Sequence, residues 1–211
     1  MARRLLLIGG GGHCSSVLDA VLKSGQYDEI GIVDYDIEAS KLGVPVVGND
    51  GELSRLASEG WTHAFISVGS VGDVRLRKKL YSMVKKLNFQ IPEIVDPTAS
   101  IAQNAYIGEG VYVGKQAIVN TSAVIGECAI INSRAVVEHD CTVGAFSHIS
   151  PGAVLLGGVS VGANTHIGAG SVVRQGIRIG NDTMIGQCSN VLMNVENNVV
   201  AYGNPCKVVK R

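Results

Sequence analysis

The apolar residues of this chain follow two different periods, one in each part of the sequence. Up to about residue 90, short apolar runs alternate with amphipathic stretches of helical spacing. This pattern predicts strands at 5–8, 30–33, 44–47 and 64–68, and helices at 13–24, 52–58 and 73–87. Strands that alternate with helices indicate a small parallel α/β sheet of the Rossmann-like type.

From about residue 95 an aliphatic residue recurs at every sixth position. Seventeen consecutive positions of this frame, from Val95 to Val191, hold Val, Ile or Leu. The next residue is often Gly, which we expect to supply backbone freedom at a corner. A period of six fits neither a helix nor a lone strand, but it fits a solenoid in which each hexapeptide forms one side of a prism. Three sides make an 18-residue coil, so the stretch predicts roughly five coils of a β-helix.

The change of period predicts two domains, at residues 1–90 and 91–211. The whole chain has 18 basic and 18 acidic side chains, so its net charge gives no indication of nucleic-acid binding, although a local basic patch could still bind a phosphorylated small molecule. No apolar run is long enough for a membrane span. The five cysteines contain no CxxC pair, which favours reduced thiols in a cytoplasmic protein and no zinc site.

Four glycines at 9–12 follow the first predicted strand and precede a helix. Such a loop lets a phosphate approach the backbone and the helix N-terminus. The third glycine of G-x-G-x-x-G is missing, because Cys14 or Ser15 falls there, which weakens an NAD-dependent oxidoreductase as an alternative. Asp34 ends the second strand, where an acidic side chain could hold a ribose.

The repeats resemble those of the hexapeptide-repeat acyltransferases. The whole chain resembles the bacterial nucleotide-sugar acetyltransferases of that family, which include UDP-4-amino-sugar and perosamine N-acetyltransferases and sialic acid O-acetyltransferases. The segments that carry the resemblance are 9–13, 33–36, 67–69, 75–79, 132–139, 144–148 and 203–207. The resemblance implies a left-handed parallel β-helix, acetyl-CoA as co-substrate, no metal, and a homotrimer with active sites between subunits.

Acetyl transfer to an amine requires a base and a donor for the developing oxyanion. His139 lies in the sequence Glu138-His139-Asp140, and neighbouring carboxylates can fix an imidazole's tautomer and increase its basicity. The resemblance makes His139 the catalytic base and Asp140 its support. Adjacent side chains of a straight strand point to opposite faces, so this contact requires a bend at a corner, and the sequence leaves open whether Glu138 or Asp140 provides it.

His148 follows His139 by nine residues, which is half of one coil. We therefore expect the two histidines on opposite sides of one prism, meeting only across a subunit interface. The resemblance makes His148 an acetyl-CoA ligand and places the coenzyme along Gly157, Ala169, Gly186 and Gln187. The basic residues that could meet its phosphates are Arg174, Arg178, Lys207, Lys210 and Arg211.

The favoured interpretation is acetylation of the amino group of a UDP-linked 4-amino sugar in bacterial glycan biosynthesis. The expected substrate-binding residues are Gly11, Gly12, His13, Asp34, Asp36, Gly69 and Asn132. Alternatives are O-acetylation of sialic acid or another sugar, or a GDP- or TDP-linked amino sugar of the perosamine type. A non-catalytic scaffold is a further alternative, because hexapeptide β-helices also occur in assembly proteins.

Overall fold

A computed structural model describes residues 2–36 and 40–210, which form two compact units. The first comprises the described residues up to Ser70 together with Val74–Pro97, and the second comprises Val71–Asp73 together with the described residues from Thr98 onward. This division differs from the expected 1–90 and 91–211. It assigns residues 91–97 to the first unit and a three-residue segment near position 72 to the second.

The first unit is an α/β domain built on a parallel sheet, as predicted. Its elements are β1 (Arg4–Ile8), α1 (Gly12–Ser24), β2 (Glu29–Val33), β3 (Val46–Gly48), a 3₁₀ turn (Asp50–Glu52), α2 (Leu53–Ser58), β4 (His63–Ile66), α3 (Arg75–Lys86) and β5 (Ile94–Val95). The sheet order is β3-β2-β1-β4, and its pairings are parallel. After Arg4, β1 is apolar and buried from Leu5 to Ile8, because both faces of this central strand are covered.

The connections leave β1 in opposite directions along the sheet. The chain runs from β1 to β2 and β3 on one side and returns to place β4 on the other side of β1. Ligands of open α/β sheets bind outside the carboxyl ends of the strands at such a reversal. The glycine loop after β1 and Gly69 after β4 lie at these ends.

The second unit is the left-handed parallel β-helix. Its strands are β6 (Ser100–Ile101), β7 (Tyr106–Ile107), β8 (Tyr112–Val113), β9 (Ile118–Val119), β10 (Val124–Ile125), β11 (Ile130–Ile131), β12 (Val136–Val137), β13 (Thr142–Val143), β14 (His148–Ile149), β15 (Val154–Leu155), β16 (Ser160–Val161), β17 (His166–Ile167), β18 (Val172–Val173), β19 (Arg178–Ile179), β20 (Met184–Ile185), β21 (Asn190–Val191), β22 (Val200–Tyr202) and β23 (Lys207–Lys210). All pairings between β6 and β22 are parallel, and β23 closes the end as an antiparallel strand.

Three sheets form the sides of the prism. Face 1 contains β6, β9, β12, β15, β18 and β21, face 2 contains β7, β10, β13, β16 and β19, and face 3 contains β8, β11, β14, β17, β20 and β22. From β6 to β18, each strand pairs with the one 18 residues later, so Val136 lies beside Val154 and His148 beside His166. The predicted coil length is confirmed.

The interior of the prism is a stack of aliphatic side chains. The second residue of each strand points inward, and Ile125, Ile149, Leu155 and Ile185 have no exposed surface. Burying one such side chain contributes roughly 1.5–3 kcal/mol, so the repeated stack is the main source of stability for this unit.

The glycines that follow the aliphatic positions have a different role from the one expected. A Cβ on Gly162 or Gly168 would lie 2.6 Å or 2.4 Å from the backbone nitrogen of the next coil. Glycine is therefore required there for close approach of the coils, and not for a positive φ. The left-handed corners lie elsewhere in each repeat, at positions such as Ser122, Asp140 and Asn164.

Candidate active site

His139 forms an imidazole–carboxylate pair with its neighbour at a corner of the β-helix. Its Nδ1 lies 2.7 Å from Oδ2 of Asp140, and both side chains are more than half exposed. Asp140 has a φ of 59°, in the left-handed region, which turns its side chain back toward the preceding residue. The bend that the sequence requires is therefore present. Because Nδ1–H donates to the carboxylate, the neutral ring carries its lone pair on Nε2, which is then the acceptor.

Glu138 makes different contacts from Asp140. Its carboxylate accepts a hydrogen bond of 2.8 Å from the side-chain amide of Asn120, one coil earlier, and a long one of 3.4 Å from the backbone N–H of His139. The imidazole ring is thus contacted by Asp140, while Glu138 ties the corner to the adjacent coil.

Gly157 lies one coil beyond His139, against the imidazole. A Cβ at this position would lie 2.5 Å from Nε2 and 2.6 Å from Cε1 of His139. The backbone of Gly157 is buried and its φ lies outside the left-handed region. The absent side chain therefore provides the space that the ring occupies.

Four of the five residues expected to bind acetyl-CoA line one open cleft. This cleft has a volume of about 630 Å³, and His148, Ala169, Gly186 and Gln187 contribute to its wall. Gly157 does not line it. Further residues, to which the sequence gave no coenzyme role, also line it, among them Ser150, Pro151, His166, Gly168, Met184 and Tyr202. No short motif marks them, because the 18-residue coil brings them together from separate turns.

A hydrogen-bond chain holds His148 at the wall of the cleft. The Nδ2 of Asn132 lies 3.0 Å from its Nε2, and the Oδ1 of Asn132 accepts from the backbone N–H of Ser133 at 2.8 Å. The expected substrate residue Asn132 therefore contacts the expected acetyl-CoA ligand. On the other side, the His166 ring packs edge-to-face on His148, with centroids 5.0 Å apart.

Within one chain, His139 and His148 lie on opposite sides of the prism. His139 lies at the corner between β12 of face 1 and β13 of face 2, while His148 belongs to β14 of face 3. In a triangular prism, the corner between two faces is opposite the third. The half-coil separation predicted from the sequence therefore holds.

The glycine loop of the first unit is held by Asp34 and Ser67. The backbone N–H of Gly10 donates to Asp34 at 2.5 Å, and the hydroxyl of Ser67 donates to the carbonyl of Gly9 at 2.7 Å. Partial burial opposes ionisation of Asp34, but hydrogen bonds from the backbone amides of Asp36, Gly10 and Tyr35 outweigh it and hold the pKa of Asp34 below its usual value. Part of its acceptor capacity is thus used by the loop itself.

The remaining residues of the expected nucleotide site lie around this loop. Gly11 and Gly12 are exposed at the start of α1, with open space where a side chain would be. A Cβ on Gly69 would contact the Cβ of His13 at 3.3 Å, so these two positions are adjacent. Asp36 is exposed and donates its backbone N–H to Asp34.

A small cavity lies at the carboxyl ends of β1 and β2. Gly9, Asp34, Tyr35 and Asp50 line it, together with apolar side chains that include Val68. The sequence pattern did not indicate Tyr35 and Asp50, which are brought together when β3 pairs with β2.

Several further observations bear on ligands. Arg174, Arg178, Lys207 and Lys210 are exposed on the β-helix, and Arg211 lies outside the described residues. Within residues 2–36 and 40–210, no group of three or more His, Cys, Asp or Glu side chains could hold a metal ion. No helix in the same part of the chain is long and apolar enough to cross a membrane.

Both units match known protein families. Residues 4–84 match the PglD N-terminal domain, and residues 122–157 and 158–192 match the bacterial transferase hexapeptide repeats. The acetyltransferase domain of PglB from Neisseria gonorrhoeae FA1090 is 32% identical, with a TM-score of 0.93 over 98% of this chain and 100% of that chain. PerB from Caulobacter crescentus, solved with CoA and GDP-perosamine, is 37% identical, with a TM-score of 0.92 over 99% of this chain and 98% of that chain.

The chain belongs to the bacterial nucleotide-sugar acetyltransferases of the hexapeptide-repeat family. The resemblance stated from the sequence motifs is therefore confirmed over the full length of the chain. The PglB domain has also been solved with acetyl coenzyme A. No curated protein matches this chain.

Proposed function

We propose that this acetyltransferase transfers the acetyl group of acetyl-CoA to the amino group of a nucleotide-linked amino sugar in bacterial glycan biosynthesis. The observation that carries the proposal is the contact between Nδ1 of His139 and Asp140, which leaves Nε2 of a half-exposed ring as the base. A scaffold protein would have no use for an exposed imidazole oriented in this way.

The proposed reaction is a direct displacement on the thioester. The amine nitrogen attacks the carbonyl carbon while Nε2 of His139 takes a proton from that nitrogen. The tetrahedral intermediate then collapses, the C–S bond breaks, and the imidazolium returns the proton to the leaving CoA thiolate. The products are the acetamido sugar and CoA, and Asp140 stabilises the imidazolium between the two steps.

The intermediate needs a hydrogen-bond donor for its oxyanion. We assign this role to the backbone N–H of Gly157, which lies in the turn against the His139 ring and has no hydrogen-bond partner in the described part of the chain. Gly157 would then contact the acetyl end of the coenzyme. His148, Ala169, Gly186 and Gln187 would contact its pantetheine arm in the cleft.

We propose that each active site combines two subunits of a homotrimer. The base at the corner of faces 1 and 2 and the cleft at face 3 cannot meet within one prism. An outward column of apolar side chains on face 1 supports self-association: Ile118, Val136, Val154 and Val172 stack in register. A second copy of the chain would cover this column and bring its own cleft to His139.

Mixing two inactive variants tests the shared site. Trimers re-formed from His139→Ala and His148→Ala protein contain interfaces where one subunit supplies an intact base and its neighbour an intact cleft. We expect partial recovery of activity in the mixture and none in either variant alone. Continued inactivity in mixed trimers would show that both histidines serve the same subunit's site.

The first unit is proposed to bind the nucleotide part of the substrate. Exposed backbone N–H groups at Gly11 and Gly12, at the positive end of α1, suit a diphosphate. The cavity beside Asp34, Tyr35 and Asp50 would accept the ribose and base. A UDP-linked 4-amino sugar is the first candidate. GDP-perosamine is the second, because PerB, at 37% identity, was solved with that ligand.

A thiol-release assay with acetyl-CoA tests the reaction. The panel contains UDP-, GDP- and TDP-linked 4-amino sugars, with sialic acid as the hydroxyl acceptor and His139→Ala as the control. We expect CoA release with one amino-sugar nucleotide and a product heavier by one acetyl group. Release only with sialic acid would indicate O-acetylation, and no release with any acceptor would favour a scaffold.

A cytoplasmic location is part of this proposal. It is supported by the odd number of cysteines without a CxxC pair, which suits a reducing compartment, and by the acetyl-CoA that the reaction consumes.

A further inference from the structure

His166 lies directly beside His148 on face 3. The two residues are Cα partners in the parallel pairing of β14 and β17, and His166 is 7% exposed. Their rings meet at 83°, with centroids 5.0 Å apart, which is an edge-to-face geometry. His166 also lines the cleft that contains His148.

The contacts of His148 fix the position of its proton. Oδ1 of Asn132 accepts from Ser133, so the amide nitrogen of Asn132 must face Nε2 of His148. An amide nitrogen is a donor only, and Nε2 is therefore an acceptor. The Asn132 amide therefore selects the His148 tautomer that carries its proton on Nδ1.

One ring nitrogen of His166 is buried without a hydrogen-bond partner among the described residues, which stability alone does not explain. Its Nε2 lies 3.3 Å from the hydroxyl of Ser150, but its Nδ1 is buried with no hydrogen-bond partner among the described residues. A buried polar atom without a partner destabilises a fold and calls for an explanation. On face 3, His166 belongs to a stack of first strand residues, one from each coil. Other members of this stack, Tyr112, Ile130 and Met184, are apolar or aromatic, so an aliphatic residue would fit position 166.

Burial also determines the charge of His166. It lowers the pKa of the His166 imidazole below its usual value, so the ring is neutral near pH 7. A neutral ring can pack against His148 without repelling it, whereas two imidazolium rings at this distance would repel each other.

We propose that His166 is a positioning residue: its ring packs against His148 and holds the plane of that imidazole, so that Nε2 of His148 stays on the Asn132 amide, which selects the tautomer, at the wall of the coenzyme cleft. This inference rests on the proposed function, in which His148 contacts acetyl-CoA. The role belongs to the aromatic ring and not to its nitrogens, which distinguishes it from acid–base participation.

A matched pair of substitutions separates these roles. His166→Phe and His166→Leu both remove the nitrogens and fill the space, but only Phe retains an aromatic edge. We expect His166→Leu to raise the KM for acetyl-CoA roughly two- to tenfold, the effect of losing one edge-to-face pair. We expect kcat to change much less, and His166→Phe to retain the wild-type KM.

NMR of the His148 ring nitrogens provides a readout that does not depend on turnover. Long-range ¹H–¹⁵N spectra should show the Nδ1–H tautomer in wild type and in His166→Phe, and a mixture of tautomers in His166→Leu. If wild type releases no CoA, the proposed function fails, and these spectra still decide the positioning role.

Three results would overturn the inference. Equal loss of affinity in both variants would assign the effect to the imidazole nitrogens. Wild-type KM and tautomer in both variants would show that position 166 has no influence on His148. A similar rise in KM for Asn104→Ala would reduce the effect to general loosening, because that variant removes only inter-coil hydrogen bonds to Thr121 and Ser122, far along the solenoid.

Discussion

Substitution of Gly157 by alanine is a direct test of where His139 must lie. The backbone of Gly157 can accept alanine without strain, because its φ is outside the left-handed region. The only conflict is with the imidazole, whose Nε2 would be 2.5 Å from the new Cβ. The ring must retreat by about 1 Å to reach ordinary van der Waals separation.

The size of the effect follows from this displacement. A misplacement of about 1 Å in a reacting group can reduce a rate by about 10²-fold, which corresponds to ~2.7 kcal/mol in the activation free energy. His139 is half exposed, so its ring can move toward solvent at little cost to folding. We therefore expect kcat to fall about 100-fold while the melting temperature stays nearly unchanged.

The adjacent glycine provides the matched control. Gly158 has a φ of +69° and open space around its Cβ position. Gly158→Ala should lower the free energy of unfolding by about 1 kcal/mol, the cost of a left-handed non-glycine residue, and leave kcat close to wild type. Thiol-release kinetics and thermal unfolding of both variants measure the two effects separately.

A double-mutant cycle identifies the cause of the loss. If Gly157→Ala acts by moving the base, it should have no further effect on the residual rate of His139→Ala. Retention of more than half of the wild-type kcat by Gly157→Ala would refute the reasoning. An additional 100-fold loss on top of His139→Ala would also refute it.

Three further predictions concern the corner, the glycine loop and the outer surface. Asp140→Asn should reduce kcat about 10- to 100-fold, because the imidazolium loses its carboxylate, whereas Glu138→Gln should affect stability more than kcat; steady-state kinetics and thermal unfolding compare the two. The folded pKa of Asp34 is lowered, so its stabilisation is complete above about pH 4 and is lost as pH falls through the folded pKa. Asp34→Asn should therefore flatten the acid side of the stability profile measured by urea unfolding, and an unchanged profile would contradict this. Val154→Lys should produce monomers without CoA release, while Ser160→Lys on face 2 should stay trimeric in analytical ultracentrifugation.

The repeat and its consequences could be predicted from the sequence because they depend on a one-dimensional period. In a solenoid, residue number converts directly into position around the coil, so spacing alone predicted that His148 lies opposite His139. The parallel sheet of the first unit was similarly predictable from its alternating apolar runs.

The glycines and the carboxylates needed the tertiary structure. Composition could not distinguish a glycine required for a positive φ from one such as Gly162, which leaves room for the next coil. It also could not tell which of Glu138 and Asp140 reaches the imidazole, because that depends on the left-handed corner at Asp140.

What the sequence alone determined is the order of stacking, since a regular backbone converts residue number into position. What only the tertiary structure decided is contact between side chains. Gly157 lies against His139, and His166 meets His148 at a right angle, because of turn geometry and rotamers that no periodicity encodes. The β-helix was therefore predictable from its repeat, whereas the orientation of His139 and of His148 depends on the packing around each ring.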